Sequence, residues 1–193
     1  IPLPKKHVDT GMGFERLVSI LQDTDSNYKT DLFLPLMDLI MELSGENEEE
    51  RERNLTPYRV IADHTRAASF LISDGVVPGN IGRNYICRMI IRRAARYGTK
   101  LGLQEPFLAK IADKVIQIYQ PAYPELTKNR STILENLTQE EIRFKKTLDS
   151  GLAYLYQLLE ENKKTKIISG KDAFDLYATH GLPFELTRDI ATE

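Results

Sequence analysis

The chain has 193 residues, of which 41% are hydrophobic and 28% charged, with Gly 11 and Pro 9. That is enough apolar surface for one large domain or two small ones, and it excludes a disordered or collagen-like chain and a complete large multidomain enzyme. The single cysteine excludes an internal disulfide framework and a cysteine-based zinc cage, while the net charge of −2 makes no obvious nucleic-acid binder of the chain as a whole. With no secretory segment at the start and no run long and apolar enough to span a bilayer, a reducing, cytoplasmic setting without membrane partners is expected. The first residue is Ile1, followed by Pro2, Leu3 and Pro4, and the chain is read as a piece of something longer.

In chain order, Lys5 to Val8 is a short extended stretch, Thr10-Gly11-Met12-Gly13 a glycine turn, and Phe14 to Leu21 a helix with apolar Phe14, Leu17, Val18 and Leu21. A second helix is expected from Thr30 or Asp31 as N-cap, stacking Leu32, Leu36, Leu39, Ile40 and Leu43 and stopping at Gly45. The acidic run Glu46 to Glu52, up to Pro57, reads as a solvated, mobile linker. A helix follows over Tyr58 to Ser73, with His64 on the Val60, Ala67, Leu71 stripe as a satisfied core histidine. Val76 to Gly82 is a loop.

From Asp74 to Glu105 no acidic side chain intervenes, yet Arg83, Arg88, Arg92, Arg93, Arg96 and Lys100 occur. The helix that carries them is expected over about Arg83 to Tyr97, with Gly98 as its C-cap. At 100° per residue Arg88, Arg92 and Arg96 share one face with Tyr85 and Met89, and Ile86, Ile90, Ile91, Ala94 and Tyr97 face the other way. Such a stripe suits an RNA backbone, or else a solvated face balancing acids within the bundle. Pro106 to Tyr119 is a further helix. Ser131 to Asn162 is long and helical on Leu137, Phe144, Leu148, Leu152, Leu155 and Leu159, with a capping-box pattern at Thr138 and Glu141 where it could divide. Ser169 and Asp172 open a helix through Tyr177, and Gly181 and Pro183 turn the chain into a last helical segment.

The expected fold is therefore mainly α, a helical bundle preceded by a strand, turn and helix whose sheet is mostly absent. Glycines at a helix N-terminus, with Arg16 one turn in, let backbone and guanidinium approach a phosphate; turn chemistry alone would use the same glycines. Asn80, after Pro78 and Gly79, can donate and accept at once, which suits base edges and 2′-hydroxyls, but loop turns favour asparagine too. His7, His64, His180 and Cys87 show no ligand spacing, so no metal site is expected.

The run Val8-Asp9-Thr10-Gly11-Met12-Gly13-Phe14-Glu15-Arg16-Leu17 resembles motif 3 of the class II aminoacyl-tRNA synthetases, in the form used by alanyl-tRNA synthetases. Four more segments resemble that family in the same order: Ser26 to Phe33, Arg59 to His64, Ser73 to Asn80 running into Ile90 to Ala94, and Asp172-Ala173-Phe174 with Gly181-Leu182-Pro183. The resemblance covers essentially the whole chain. It implies an enzyme that condenses ATP with alanine and transfers the alanine to alanine tRNA. Arg16 would bind the ATP γ-phosphate, Asp9 would hold the alanine ammonium, and Gly11 and Gly13 would keep the floor of that site small. Asn80 would read the G·U pair of the acceptor stem, with Arg88, Arg92, Arg93 and Arg96 binding the tRNA.

Residues 1–25 would be the edge of the aminoacylation domain and residues 26–193 the tRNA-recognition domain. Motifs 1 and 2 would lie before Ile1 and a zinc-binding editing domain after Glu193, so the chain alone is expected to be inactive and to bind no zinc; ATP and Mg2+ serve the intact enzyme. One position departs from the family: Leu176-Tyr177-Ala178-Thr179-His180-Gly181 has Ala178 where an aspartate helps to read the same base pair. Asp175 and His180 are the neighbouring polar groups. A stand-alone RNA-binding helical module without catalysis, and a bundle whose basic face pairs internally, are the two rival readings.

Overall fold

The computed structural model describes residues 4–8, 10–103 and 106–192, and it is helical, with no strand among them. Helix α1 (Phe14–Leu21) is followed by a 3-10 turn (Asn27–Lys29) and by α2 (Leu34–Ser44), α3 (Glu48–Arg53), α4 (Leu55–Ser73), α5 (Gly82–Lys100) and α6 (Leu108–Tyr119). Then come α7 (Pro124–Lys128), the long α8 (Arg130–Glu161), α9 (Gly170–Ala178) and α10 (Phe184–Thr192). Helices α4 and α5 pack along each other, and α8 lies across α4, α5 and α6. Tyr58, Ile61, Ile91, Leu108, Ile111, Leu137 and Phe144 fill the space between them with almost no exposure, each worth about 1.5–3 kcal/mol of transfer free energy.

Several boundaries differ from expectation, each for a visible reason. Lys5 to Val8 pairs with no strand, since no sheet is present among the described residues for it to join. The acidic run is not a linker: Asn47 and Glu50 form a capping box that starts α3, with acids in the first turn and Arg51 and Arg53 in the last. Arg51 is buried there, 2.9 Å from Asp38 and 3.2 Å from Glu48. The second helix begins at Leu34, with Pro35 in its first turn, because Thr30 is buried and turns its hydroxyl onto the Asn27 carbonyl at 2.6 Å. His64 is half-buried beside Asp63, and the stripe of α4 that reaches the core is Tyr58, Ile61, Thr65, Ala68 and Ile72.

Gly98 does not cap α5. The helix runs through it to Lys100, and the glycine is needed for packing, because a Cβ there would lie 2.1 Å from the Phe107 ring. The left-handed residue that ends this stretch is Gly102, at φ 75°. Nor does α8 break at Thr138. That hydroxyl donates back to the Leu134 carbonyl at 2.8 Å, and Glu141 instead reaches across to cap another helix, accepting from the backbone N–H groups of Phe107 and Leu108 at 3.0–3.2 Å at the start of α6. Thr138 and Glu141 thus match a capping box in sequence without forming one.

Burial of Glu141 pushes its carboxyl up to about 7, against the lowering effect of those two N–H groups and of Lys145. A folded-state value above the ordinary one means that the folded protein holds this proton more tightly than the unfolded chain. The contribution of Glu141 to stability is therefore fullest below pH 4.5 and is lost as pH rises towards about 7. Urea unfolding of the wild type and Glu141→Gln between pH 4.5 and 7.5 checks this. The difference in stability between them should shift with pH in favour of the glutamine variant as pH rises, and a pH-independent difference would show that Glu141 keeps its ordinary value.

Candidate nucleic-acid interface

Two regions carry the polar groups singled out above. At the first, Gly13 is the N-cap of α1, at φ −65° and ψ 114°, and has no side chain to cap with, while the Glu15 carboxylate turns back onto its own N–H. Arg16 is exposed and folds back over the glycine: a Cβ on Gly13 would sit 3.4 Å from Arg16 Nε. First-turn N–H groups behind a glycine N-cap, beside an exposed guanidinium, are donors of the kind that a phosphate takes, so the residues present fit a phosphate group. Gly11 is exposed with nothing near its Cβ position. Asp9 lies outside the described residues.

Helix α1 is tied down by Glu15, which accepts from Arg66 of α4 at 2.5 Å and is held below the usual carboxylate range by that bond. Arg66 also meets Asp63 at 3.1 Å and lies over the Phe33 ring at 4.6 Å, so one guanidinium joins α1, α4 and the start of α2. The apolar side of α1 is little covered among the described residues: Phe14, Leu17 and Leu21 are exposed, as is Met12 just before the helix.

The second region begins at the loop before α5. Asn84 shapes it, donating from Nδ2 to the Val77 carbonyl at 2.7 Å while its own carbonyl accepts the Gly79 N–H at 3.0 Å. Gly79 packs so closely that a Cβ would stand 2.8 Å from that of Asn84. Asn80 is exposed at the tip, and its Oδ1 accepts from Arg88 Nη1.

The arginines of α5 do not form an outward stripe. Helix α5 is enclosed by α4 and α8, so Cys87, Ile91, Ala94, Ala95, Arg96 and Tyr97 are all buried. Glu140 of α8, only 1% exposed, faces this helix. Arg92 donates from Nε to Glu140 Oε1 at 2.7 Å and from Nη1 to the Gly181 carbonyl at 3.1 Å, and it lies over the Phe144 ring at 5.3 Å. Arg88 Nε is 3.3 Å from the same carboxylate oxygen. Arg93 pairs with Asp189 of α10 at 3.0 Å, and Arg96 is buried near the Tyr97 ring. Glu140 and Asp189 on the facing helices draw Arg88, Arg92 and Arg93 inward, while Ile86, expected on the opposite, apolar face, is exposed. Burial beside Glu140 also pushes the Cys87 thiol up to about 11, which keeps it protonated.

The turn after α9 completes this region. Ala178 is exposed, His180 stacks on Tyr154 with centroids 4.7 Å apart, and Asp175 is half-buried, its backbone carbonyl accepting from the Thr179 and His180 N–H groups. Gly181 takes φ 64°. Helix α10 is fastened to α5 by Arg93 and by Tyr85, whose hydroxyl donates to Glu185 at 3.0 Å; its burial and that carboxylate push the phenol to about 12. Among the described residues no three or more His, Cys, Asp and Glu side chains are grouped to hold a metal ion, and no helix is long and apolar enough to cross a membrane.

Glu140 and Asn84 went unnoticed in the sequence. Glu140 had a signal: it stands three residues after Leu137 and four before Phe144, so a carboxylate falls on a buried stripe and requires partners. Asn84 had none beyond turn chemistry.

The family model for class II (A) tRNA synthetases matches residues 1–193. Alanine–tRNA ligases of Staphylococcus aureus, strains JH9 and Newman, are each 45% identical to the chain over all 193 residues, which is 100% of this chain and 22% of theirs. The chain thus spans about a fifth of the length of the curated relatives it matches. With a model matched from end to end and ordered motifs that fall on a glycine-started helix, a shaped asparagine loop and the α9–α10 turn, the chain belongs to the class II (A) tRNA synthetase family.

Proposed function

We propose that the chain serves an alanine–tRNA ligase, with residues 1–25 contributing to ATP-dependent alanine activation and residues 26–193 recognising the acceptor stem of alanine tRNA. The observation that carries this reading is the unbroken 45% identity to alanine–tRNA ligases across 193 residues. In the activation site Asp9 pairs with the alanine ammonium, Gly11 and Gly13 leave room for the substrates, and Arg16 takes the ATP phosphate charge as pyrophosphate leaves. ATP with its Mg2+ supplies the activated phosphoanhydride, and the attacking oxygens belong to the alanine carboxylate and the tRNA hydroxyl. No side chain acts as a nucleophile and no zinc is used. The work takes place in the cytoplasm.

For the tRNA, the exposed Asn80 reads the G·U pair and Arg88 beside it meets backbone phosphate. Arg92, Arg93 and Arg96 add positive potential from within and keep α8 and α10 in place around the reading loop. Two arginines answer the single carboxylate of Glu140, so that cluster keeps an excess of positive charge. This supports RNA binding over a bundle whose basic face is wholly neutralised internally. A catalytic role separates the reading from a stand-alone RNA-binding module, and α1 favours it, since an amphipathic helix with an uncovered apolar side is built to pack against further protein.

These residues alone are expected to support no alanine-dependent ATP–pyrophosphate exchange above a buffer control, because motifs 1 and 2 of the family are not among them. In the intact ligase Arg16→Ala should lower exchange by about 100-fold, as for loss of one charge-stabilising donor. An unchanged rate would remove Arg16 from the site.

Binding of the chain to acceptor-stem hairpins bearing G·U, or G·C in its place, tests the second half. Asn80→Ala should erase most of the preference for G·U, a loss of about 1–3 kcal/mol for one unpaired polar contact. A full preference retained without Asn80 would place recognition elsewhere.

A further inference from the structure

Glu140 is buried beneath the second region and presents nothing at its surface, yet it pairs with the two arginines that reach its loop and its turn. Its Oε1 receives Arg92 Nε at 2.7 Å and lies 3.3 Å from Arg88 Nε, an ion pair without a hydrogen bond, while Oε2 has no donor among the described residues. Beyond the carboxylate the arginines diverge. Arg88 extends Nη1 to Asn80 Oδ1 on the loop before α5, and Arg92 extends Nη1 to the Gly181 carbonyl on the turn after α9. One buried carboxylate on α8 therefore reaches, through one arginine each, two stretches that are distant in sequence, the loop that the proposed function gives to RNA reading and the turn after α9.

The link also sets which way the Asn80 carboxamide points. A guanidinium has only donors, so the atom that faces Arg88 must be the oxygen. The carboxamide NH2 is left to the solvent side. Asn80 then meets its ligand as a donor, and the group it reads is an acceptor, such as a base carbonyl or a ribose oxygen.

We infer that Glu140 is a positioning residue for RNA discrimination: it holds Arg88 so that Asn80 presents its NH2, and holds Arg92 so that the 178–181 turn stays at a fixed distance across from it. The inference rests on the proposed role of Asn80 and extends it to a residue that touches no RNA.

The test is binding of the 193-residue chain to G·U and G·C acceptor-stem hairpins. Glu140→Gln keeps the shape and removes the charge that gathers the arginines. It should reduce discrimination between the stems by about fivefold, the size of coupling expected within one hydrogen-bonded network, and should have no further effect on discrimination in an Asn80→Ala background. A purely structural role would instead weaken both stems equally in both backgrounds, and that result overturns the inference. Arg88→Met cuts the same link at the surface without leaving a charge buried, should Glu140→Gln fail to fold, and the same loss of discrimination is expected. Asn80→Asp replaces the outward donor by an acceptor and should abolish the preference outright. If Asn80→Ala lowers discrimination while Glu140→Gln and Arg88→Met leave it intact, the positioning role is overturned alone; if Asn80→Ala itself leaves it intact, the reading of Asn80 falls and the positioning role with it.

Discussion

A carboxylate withdrawn from water must be answered by positive charge or hydrogen-bond donors or else take up a proton, and Glu140 is answered by two arginines of the facing helix. Losing one partner of such a buried group typically costs about 3–5 kcal/mol, whereas the intact cluster need not stabilise the fold against an apolar replacement at all. What the cluster provides is register. It fixes how α5 lies on α8, and through Arg92 and the Gly181 carbonyl it fixes where α9 turns into α10. The exposed Asn80 loop depends on the same register through Arg88.

A second polar junction does equivalent work at the other end. Arg66 binds Glu15 and Asp63 and covers the Phe33 ring, so the short α1 is attached to the bundle by charge and not by burial. None of its residues is buried, although its apolar residues fall on one side. Under the proposed function, activation would draw on the Arg16 end of a helix held to the bundle by charge, and recognition on an exposed loop whose place depends on the register of the bundle.

Much of this was legible in the residues. Helix positions followed from apolar periodicity, Gly45 as a C-cap from its place after the last periodic residue, and α9 from Ser169, whose hydroxyl accepts the Asp172 N–H at 3.1 Å. What escaped were relations between elements. Gly98 looked like a helix end because glycine usually ends helices, and only the Phe107 ring lying against it explains a glycine inside α5. Thr138 and Glu141 looked like a local capping box, and only the start of α6 shows where the carboxylate goes. The direction of the arginines was set by Glu140, which takes Arg88 and Arg92, and by Asp189, which takes Arg93, and periodicity within one helix contains neither. The acidic run hid a short helix because a charge-rich segment has almost no apolar pattern, and the Asn47–Glu50 pair was the one local sign.

The claim that one buried carboxylate organises a two-sided RNA-reading edge is tested most directly by backbone amide NMR of the isotopically labelled chain, titrated with an alanine tRNA acceptor-stem hairpin. The account predicts that signals from 79–88 and from 178–181 shift together at the same RNA concentration, with α3 and α7 unmoved. Shifts confined to one of the two stretches, or centred on α3, would contradict it.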